Sequence, residues 1–257
     1  MRAIAAGFTP VKGTRHLTYD EIVLAETGPV GDRLLCLVDV EARRVVRTVQ
    51  HPELMAVVAR REGRRLDVTL PSGVSVSEEP RPSGTAYTCD YWGRDVPLDL
   101  LDGPHAELFS EHLGRPVRLA AAPPGGVVFS APATLIGTAS LRDLAERAGH
   151  PTLPEEAARF RATLVVETEE PYVEDTWLGR EIAVGDARLR VGPGVGRCAL
   201  IDADPETGKR GSRLLRTLAG YRPRNTAGEP LLAVYAEVAT PGRVSAAPSG
   251  QAVAPSA

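Results

Sequence analysis

Lysine is nearly missing from this chain. Only Lys12 and Lys209 occur among 30 basic residues, and the rest are arginine. An arginine is therefore informative only inside a motif. Cysteine is also scarce: Cys36, Cys89 and Cys198 stand far apart, odd in number and without a CxxC pair. That excludes a disulfide framework and an iron–sulfur module, and it fits a reducing cytoplasm. There is no basic surplus. Acidic residues number 33 and the net charge is −3, which argues against a nucleic-acid partner. No apolar run approaches the roughly 18–20 residues that would span a bilayer. The opening MRAIAAGFTPVKG lacks the charged and apolar regions of a signal peptide. The expectation is a cytoplasmic protein with no membrane partner.

What is present is an ordinary globular composition, 257 residues with 43% hydrophobic side chains, enough for one large domain or two small ones. Short aliphatic and β-branched runs at 21–27, 33–40, 44–49, 65–70 and 74–77 are broken by Gly, Pro or charge and read as strands. Further strands are expected at 162–168, 181–184, 187–191, 198–203 and 231–238. Helices are expected at 51–59, 104–113 (stopped by Gly114), 140–148 (capped by a Ser140–Asp143 box) and from Ser212 to about Gly220. Residues 80–84 read as a loop. Many short strands with scattered helices exclude a regular βαβ alternation. The predicted class is mainly β (α+β), two β-barrel-like modules with a few peripheral helices. The AAAPPGG run at 120–126 suggests a division into 1–120 and 121–240, with 241–257 as a disordered tail rich in Pro, Ser and Ala.

Several motifs are rejected on their own terms. The glycine run at 192–197 (GPGVGR) lacks the Gly-Lys-Ser/Thr ending of a phosphate loop and precedes an expected strand; it suits a backbone that must approach something closely. The acidic DADPETG at 202–208 puts Thr207 and Arg213 where a calcium loop needs Gly and Glu. The five histidines show no ligand spacing, and no Gly-x-Ser-x-Gly elbow exists. Cys36 and Cys89 sit in apolar runs and read as core. Cys198 follows Arg197 at the end of the glycine run. Two readings stay open for it: a structural residue, or a thiol shifted towards thiolate by the guanidinium and able to bind a soft metal.

Residues 192–222 read GPGVGRCALIDADPETGKRGSRLLRTLAGYR. The Arg-Cys pair, the DPETG turn and the Leu-x-Thr-Leu-x-x-Tyr-Arg helix together resemble the core of a MOSC domain, named after the C-terminal domain of molybdenum cofactor sulfurases. Arg159-Phe160-Arg161 resembles the family's Arg-Phe-Arg-Pro-Asn, and Glu174-Asp175-Thr176-Trp177 its Glu-Asp-x-Trp. Pro10-Val11-Lys12-Gly13 and Gly31-Asp32-Arg33 are similar to segments of the β-barrel domain that accompanies MOSC domains in proteins of the amidoxime-reducing type.

The resemblance implies a molybdenum cofactor (molybdenum on molybdopterin) with Cys198 as its protein thiolate. It implies Lys12, Arg33 and Arg161 as cations around phosphate and pterin, with Gly13, Ser130, Gly196 and Arg197 beside them. It implies an oxidoreductase that removes oxygen from a small N-hydroxylated or N-oxide substrate and takes electrons from a separate donor protein. Glu174 or Asp175 then supplies a proton or orients substrate; a structural cap near Trp177 is the competing reading. Two other functions stay open: a sulfur-transfer protein carrying persulfide on Cys198, and a non-catalytic module that binds pterin or phosphate. The chain departs from the family pattern in four places. Gly13 and Gly196 stand where serines are common, Ser130 lies in a segment where many members carry an Asp before Pro, and Ala162-Thr163 replaces Pro-Asn.

Overall fold

The computed structural model describes residues 1–246. A seven-stranded sheet forms its larger half, in the order Glu181–Val184, Ala187–Gly196, Leu231–Thr240, Ala133–Gly137, Leu164–Val166, Ala3–Phe8 and Leu17–Tyr19. A closed barrel forms the other, from Arg81–Tyr91, Arg94–Asp102, Arg118–Ala121, Leu35–Asp39 and Arg44–Val45. Two three-stranded sheets flank them. One joins Gly242–Ser245, Glu21–Ala25 and Gly28–Pro29; the other joins Val58–Glu62, Arg65–Thr69 and Ser75–Glu78. The mainly-β class expected from the sequence is what forms.

Alternation explains the half-buried strands. In Arg94–Asp102 the side chains of Val96, Leu98 and Leu100 turn inward while Asp95, Pro97 and Asp99 face out. Cys36 and Cys89 are wholly buried inside the barrel with Leu98 and Val127. In the larger half, Leu24, Leu135, Leu164, Leu189 and Val234 share one core; burying each contributes about 1.5–3 kcal/mol. Among the described residues three α-helices pack outside: α1 His105–Leu113, α2 Thr138–Ala148 and α3 Leu214–Ala219. Gly114 and Gly149 end the first two in the left-handed conformation, at φ 63° and 62°.

Several local expectations are corrected. The N-terminal run Ala3–Phe8, read as no element, is a central strand, held by tertiary pairing with Leu164–Val166. Residues 1–120 are therefore not one barrel: Ala3–Phe8 and Leu17–Tyr19 belong to the sheet of the second half. The 80–84 loop is the start of strand Arg81–Tyr91. The 51–59 helix shrinks to a 3-10 turn, Pro52–Ala56, followed by a strand. The supposed strand after Cys198 is a 3-10 turn, Ala199–Asp202. Gly242–Ser245, assigned to the tail, pairs with Glu21–Ala25; the remainder of that tail, 247–257, lies outside the described residues.

Helix α2 begins at Thr138, and Ser140 is buried rather than capping. Its free donors are met from outside. Gly137 N–H donates to Glu174 Oε1 at 3.1 Å, and Ala139 N–H donates to Thr168 Oγ1 at 3.0 Å. Likewise Ser212 does not cap α3: the Asp202 carboxylate accepts the Leu215 N–H at 3.0 Å.

Candidate functional site

The topology gathers several chain segments at one end of the large sheet. Ala133–Gly137 runs parallel to Leu164–Val166, which is antiparallel to Ala3–Phe8. The residues preceding the first two strands (Ser130, Arg161) and following the third (Lys12) therefore emerge on the same side. Cys198 arrives by another route. Strand Ala187–Gly196 shifts register against Leu231–Thr240 between Val191 and Gly194 and again between Gly194 and Gly196. The glycine run is thus the bulged end of a strand and not a free loop. Gly196 is closely approached there: a Cβ would lie 2.2 Å from Glu229 Oε2 and 2.4 Å from Asn225 Nδ2, so those side-chain ends would have to shift. Those two side chains hydrogen-bond each other at 2.8 Å.

A cleft of ≈ 330 Å³ opens where the barrel meets the sheet. Tyr91, Trp92 and Thr48 line it from the barrel; Thr134, Thr163, Val195 and Tyr235 line it from the sheet. Lys12, Gly13, Arg33, Ser130, Arg161, Gly196, Arg197 and Cys198 all lie on its wall. Cys198 is a free, exposed thiol, unlike the other two cysteines. Among the described residues that line the cleft, five are basic (Lys12, Arg33, Arg159, Arg161, Arg197) and one, Glu229, is acidic.

The cations are held by backbone oxygens more than by carboxylates. Lys12 Nζ donates to Val46 O at 3.2 Å and sits 5.2 Å from the centre of the Tyr91 ring. Arg161 Nη1 donates to Thr14 O at 2.8 Å. Arg197 donates through Nε to Leu232 O and through Nη1 to Phe160 O, both at 2.9 Å. Its Nη2 is buried with no partner. Arg33 lies 3.4 Å from buried Asp32. Arg33 and Arg161 both adopt the left-handed conformation, at φ 47° and 52°. Ordinary side chains avoid it, and strain of this kind concentrates at functional sites. The Thr9–Thr14 hydroxyl contact at 2.6 Å and the Thr9 N–H to Asp32 bond at 3.3 Å brace the loop carrying Lys12.

Burial, aided by like charge, lowers several of the basic groups here. Burial, then the charges of Arg33 and Arg161, bring the Lys12 ammonium, only 8% exposed, down to about 7. Burial, then Arg33, lowers Arg161 to about 10, and burial lowers Arg197 to about 10. Burial, then Arg161, holds His16 well below the ordinary histidine range. Five basic side chains around one lining carboxylate suit an anion.

Glu174 and Asp175 do not join this site. Glu174 is 0% exposed, taking the Gly137 N–H and, at 2.9 Å, the Ser140 hydroxyl. A carboxylate beneath a helix N-terminus is favoured by the helix dipole. Asp175 receives Arg222 Nη2 at 2.5 Å, and Arg222 lies over the Tyr172 ring at 3.8 Å. Neither carboxylate lines the cleft. Their catalytic reading is therefore corrected: the Glu-Asp-x-Trp segment fastens α2 and the end of α3 to the sheet.

Residues not singled out from the sequence also shape the site. Arg159 donates to Ile201 O at 3.3 Å and Ala203 O at 2.5 Å, fixing the turn after Cys198; its place in Arg-Phe-Arg was the available signal. Trp92 and Phe129 form the cleft's aromatic lip, and only the turn-forming Trp92-Gly93 pair hinted at the first.

A family model for the MOSC domain matches residues 110–249. "Molybdenum cofactor sulfurase" of Danio rerio is 38% identical over 64 residues, 25% of this chain and 8% of that protein. "Mitochondrial amidoxime-reducing component 1" of Homo sapiens is 31% identical over 122 residues, 45% of this chain and 35% of that protein. The matches thus span less than a tenth of the first relative and about a third of the second. Among solved structures, the YUAD protein from Bacillus subtilis aligns with a TM-score of 0.40 at 11% identity, covering 95% of this chain and 91% of that one.

Proposed function

The chain belongs to the MOSC-domain family, and from that premise we propose that it is a molybdenum-cofactor oxidoreductase acting on a small N-oxygenated compound. One observation carries the reading. A free, exposed thiol shares a cleft with five basic side chains against one lining carboxylate, and Arg33 and Arg161 add to burial in lowering the Lys12 pKa. A phosphate-bearing, thiolate-bound group fits such a donor set. The buried, unpartnered Arg197 Nη2 fits it as well.

Lys12, Arg33 and Arg161 would hold the phosphate and pterin, and Cys198 the metal. When bound, the group supplies a two-electron redox centre. The chain's part is to present the thiolate, neutralise the phosphate and exclude other anions. Net reduction of a hydroxylamine-type nitrogen consumes two electrons and two protons and releases one water. With three scattered cysteines and no iron–sulfur site of its own, the chain takes those electrons from a separate donor protein.

The test is elemental analysis of protein made in a host that synthesises the cofactor. Close to one molybdenum per wild-type chain is expected, with loss of most of it in Cys198→Ala. Metal-free wild type would overturn the proposal. If such protein carried dithiothreitol-labile sulfur on Cys198, the thiol would be a persulfide carrier instead, the reading that its likeness to the sulfurases favours.

A further inference from the structure

We infer that Trp92 and Phe129 form a recognition platform for planar aryl substrates at the mouth of the cleft. The inference rests on the reading above, in that it names the substrate class of the same site.

Both rings line the cleft that contains Cys198, yet they are 45% and 55% exposed. They meet edge to face at 5.3 Å between centroids and 76° between planes. Paired exposed rings present apolar walls with a defined quadrupole to a flat guest.

The backbone at Trp92 is the second observation. Tyr91 pairs with Arg94, so Trp92-Gly93 is a two-residue hairpin loop. Both loop residues have positive φ, 56° and 77°. This is the pattern of a type I′ turn, in which asparagine or glycine is favoured at the first position. A tryptophan there is a backbone misfit. Strain of this kind persists where the side chain serves a purpose.

The surroundings brace the Trp92 ring and the backbone beside Phe129. The Arg47 guanidinium lies 4.2 Å from the Trp92 ring centre and pairs with Asp90 at 3.2 Å. Asp90 in turn accepts the Gly93 N–H at 2.8 Å. Across the lip, Arg94 from the same hairpin donates to Val128 O at 2.6 Å, beside Phe129. The platform is therefore set before a guest arrives, which lowers the entropy cost of binding.

The experiment compares benzamidoxime with acetamidoxime, which differ by the ring. Calorimetric titrations are run on the full chain as wild type, Trp92→Asn and Phe129→Ala, with molybdenum content measured in each preparation. Wild type should bind the aryl compound at least tenfold more tightly than the methyl one. That ratio should fall below threefold in Trp92→Asn, through loss of aryl affinity. A structural role for Trp92 predicts a lower Tm in that variant; the platform predicts a Tm no more than about 2 °C below wild type, because asparagine suits the turn. Aryl binding should also quench fluorescence in wild type, where Trp177, the other tryptophan, is buried. A wild-type ratio near one, or a ratio unchanged by both variants, overturns the inference even if molybdenum is present. Selective aryl binding by metal-free protein sustains it and sinks the oxidoreductase reading alone.

Discussion

At the residue scale, Lys12 concentrates the electrostatic argument. Its pKa is brought from the ordinary lysine value of 10.5 to about 7, first by burial and then by Arg33 and Arg161. The folded state therefore releases this proton more readily than the unfolded chain. The buried charge costs stability in full below pH 7, and the cost fades as pH rises from 7 towards 10.5. An anion reverses the preference by favouring the charged form, so binding above pH 7 should take up a proton. Sulfate keeps its charge across this range and is a suitable probe. Its affinity should be level below about pH 6.5 and fall above pH 7, by up to about tenfold per unit. Lys12→Met should flatten that profile. Calorimetry in buffers of different ionisation enthalpy reads the proton directly, and a pH-independent wild-type affinity would refute the linkage. That Lys12 is a site cation was legible from Pro-Val-Lys-Gly. The fall in its pKa was not, because it depends on distant arginines and on burial.

At the element scale, α2 shows how a signature misleads when read as chemistry. Glu174 stands in a motif beside Trp177 and looks like a catalytic carboxylate. The fold spends it on the N-terminus of α2, where Gly137 and Ser140 donate to it. Glu174→Ala should leave two buried donors unmet and cost about 2–4 kcal/mol in urea unfolding. Glu174→Gln should cost less, since one acceptor remains. Both variants that fold should match the wild type in molybdenum content, whatever that is, which a ligand role in the cleft would not allow. Sequence reasoning placed a helix here and ended it correctly at Gly149. It chose the wrong cap, because local spacing sees only neighbours and this cap comes from more than thirty residues away.

At the scale of the whole molecule, the two halves are joined by exchanged pieces. The N-terminal strand sits in the sheet of the second half, and the turn after Cys198 reaches back to the first. Arg15 donates to Glu206 O at 2.8 Å, and Gly208, at φ +69°, packs against Pro52. A Cβ on Gly208 would lie 2.4 Å from Pro52 O. The DPETG segment is thus a clasp between halves, its Asp204 accepting the N–H groups of Glu206 and Thr207 at 2.8 and 2.9 Å. Gly208→Ala should cost about 2–3 kcal/mol, combining left-handed strain with the close approach. The variant should also expose the 198–212 stretch to limited proteolysis; unchanged stability and cleavage would show the clasp to be incidental.

By itself, the order of residues determined the mainly-β class, the helix ends at Gly114 and Gly149 and the buried cysteines. Each follows from local patterning or glycine's freedom at positive φ. Only the tertiary structure decided which charged groups share a cavity. It brought Lys12, Arg33 and Arg161 beside Cys198, turned Glu174 under a helix and Asp175 onto Arg222, and stood Trp92 against Phe129. The physical reason is that strand pairing joins segments far apart in the chain, and charge, burial and strain at a site are properties of that assembly rather than of any one segment.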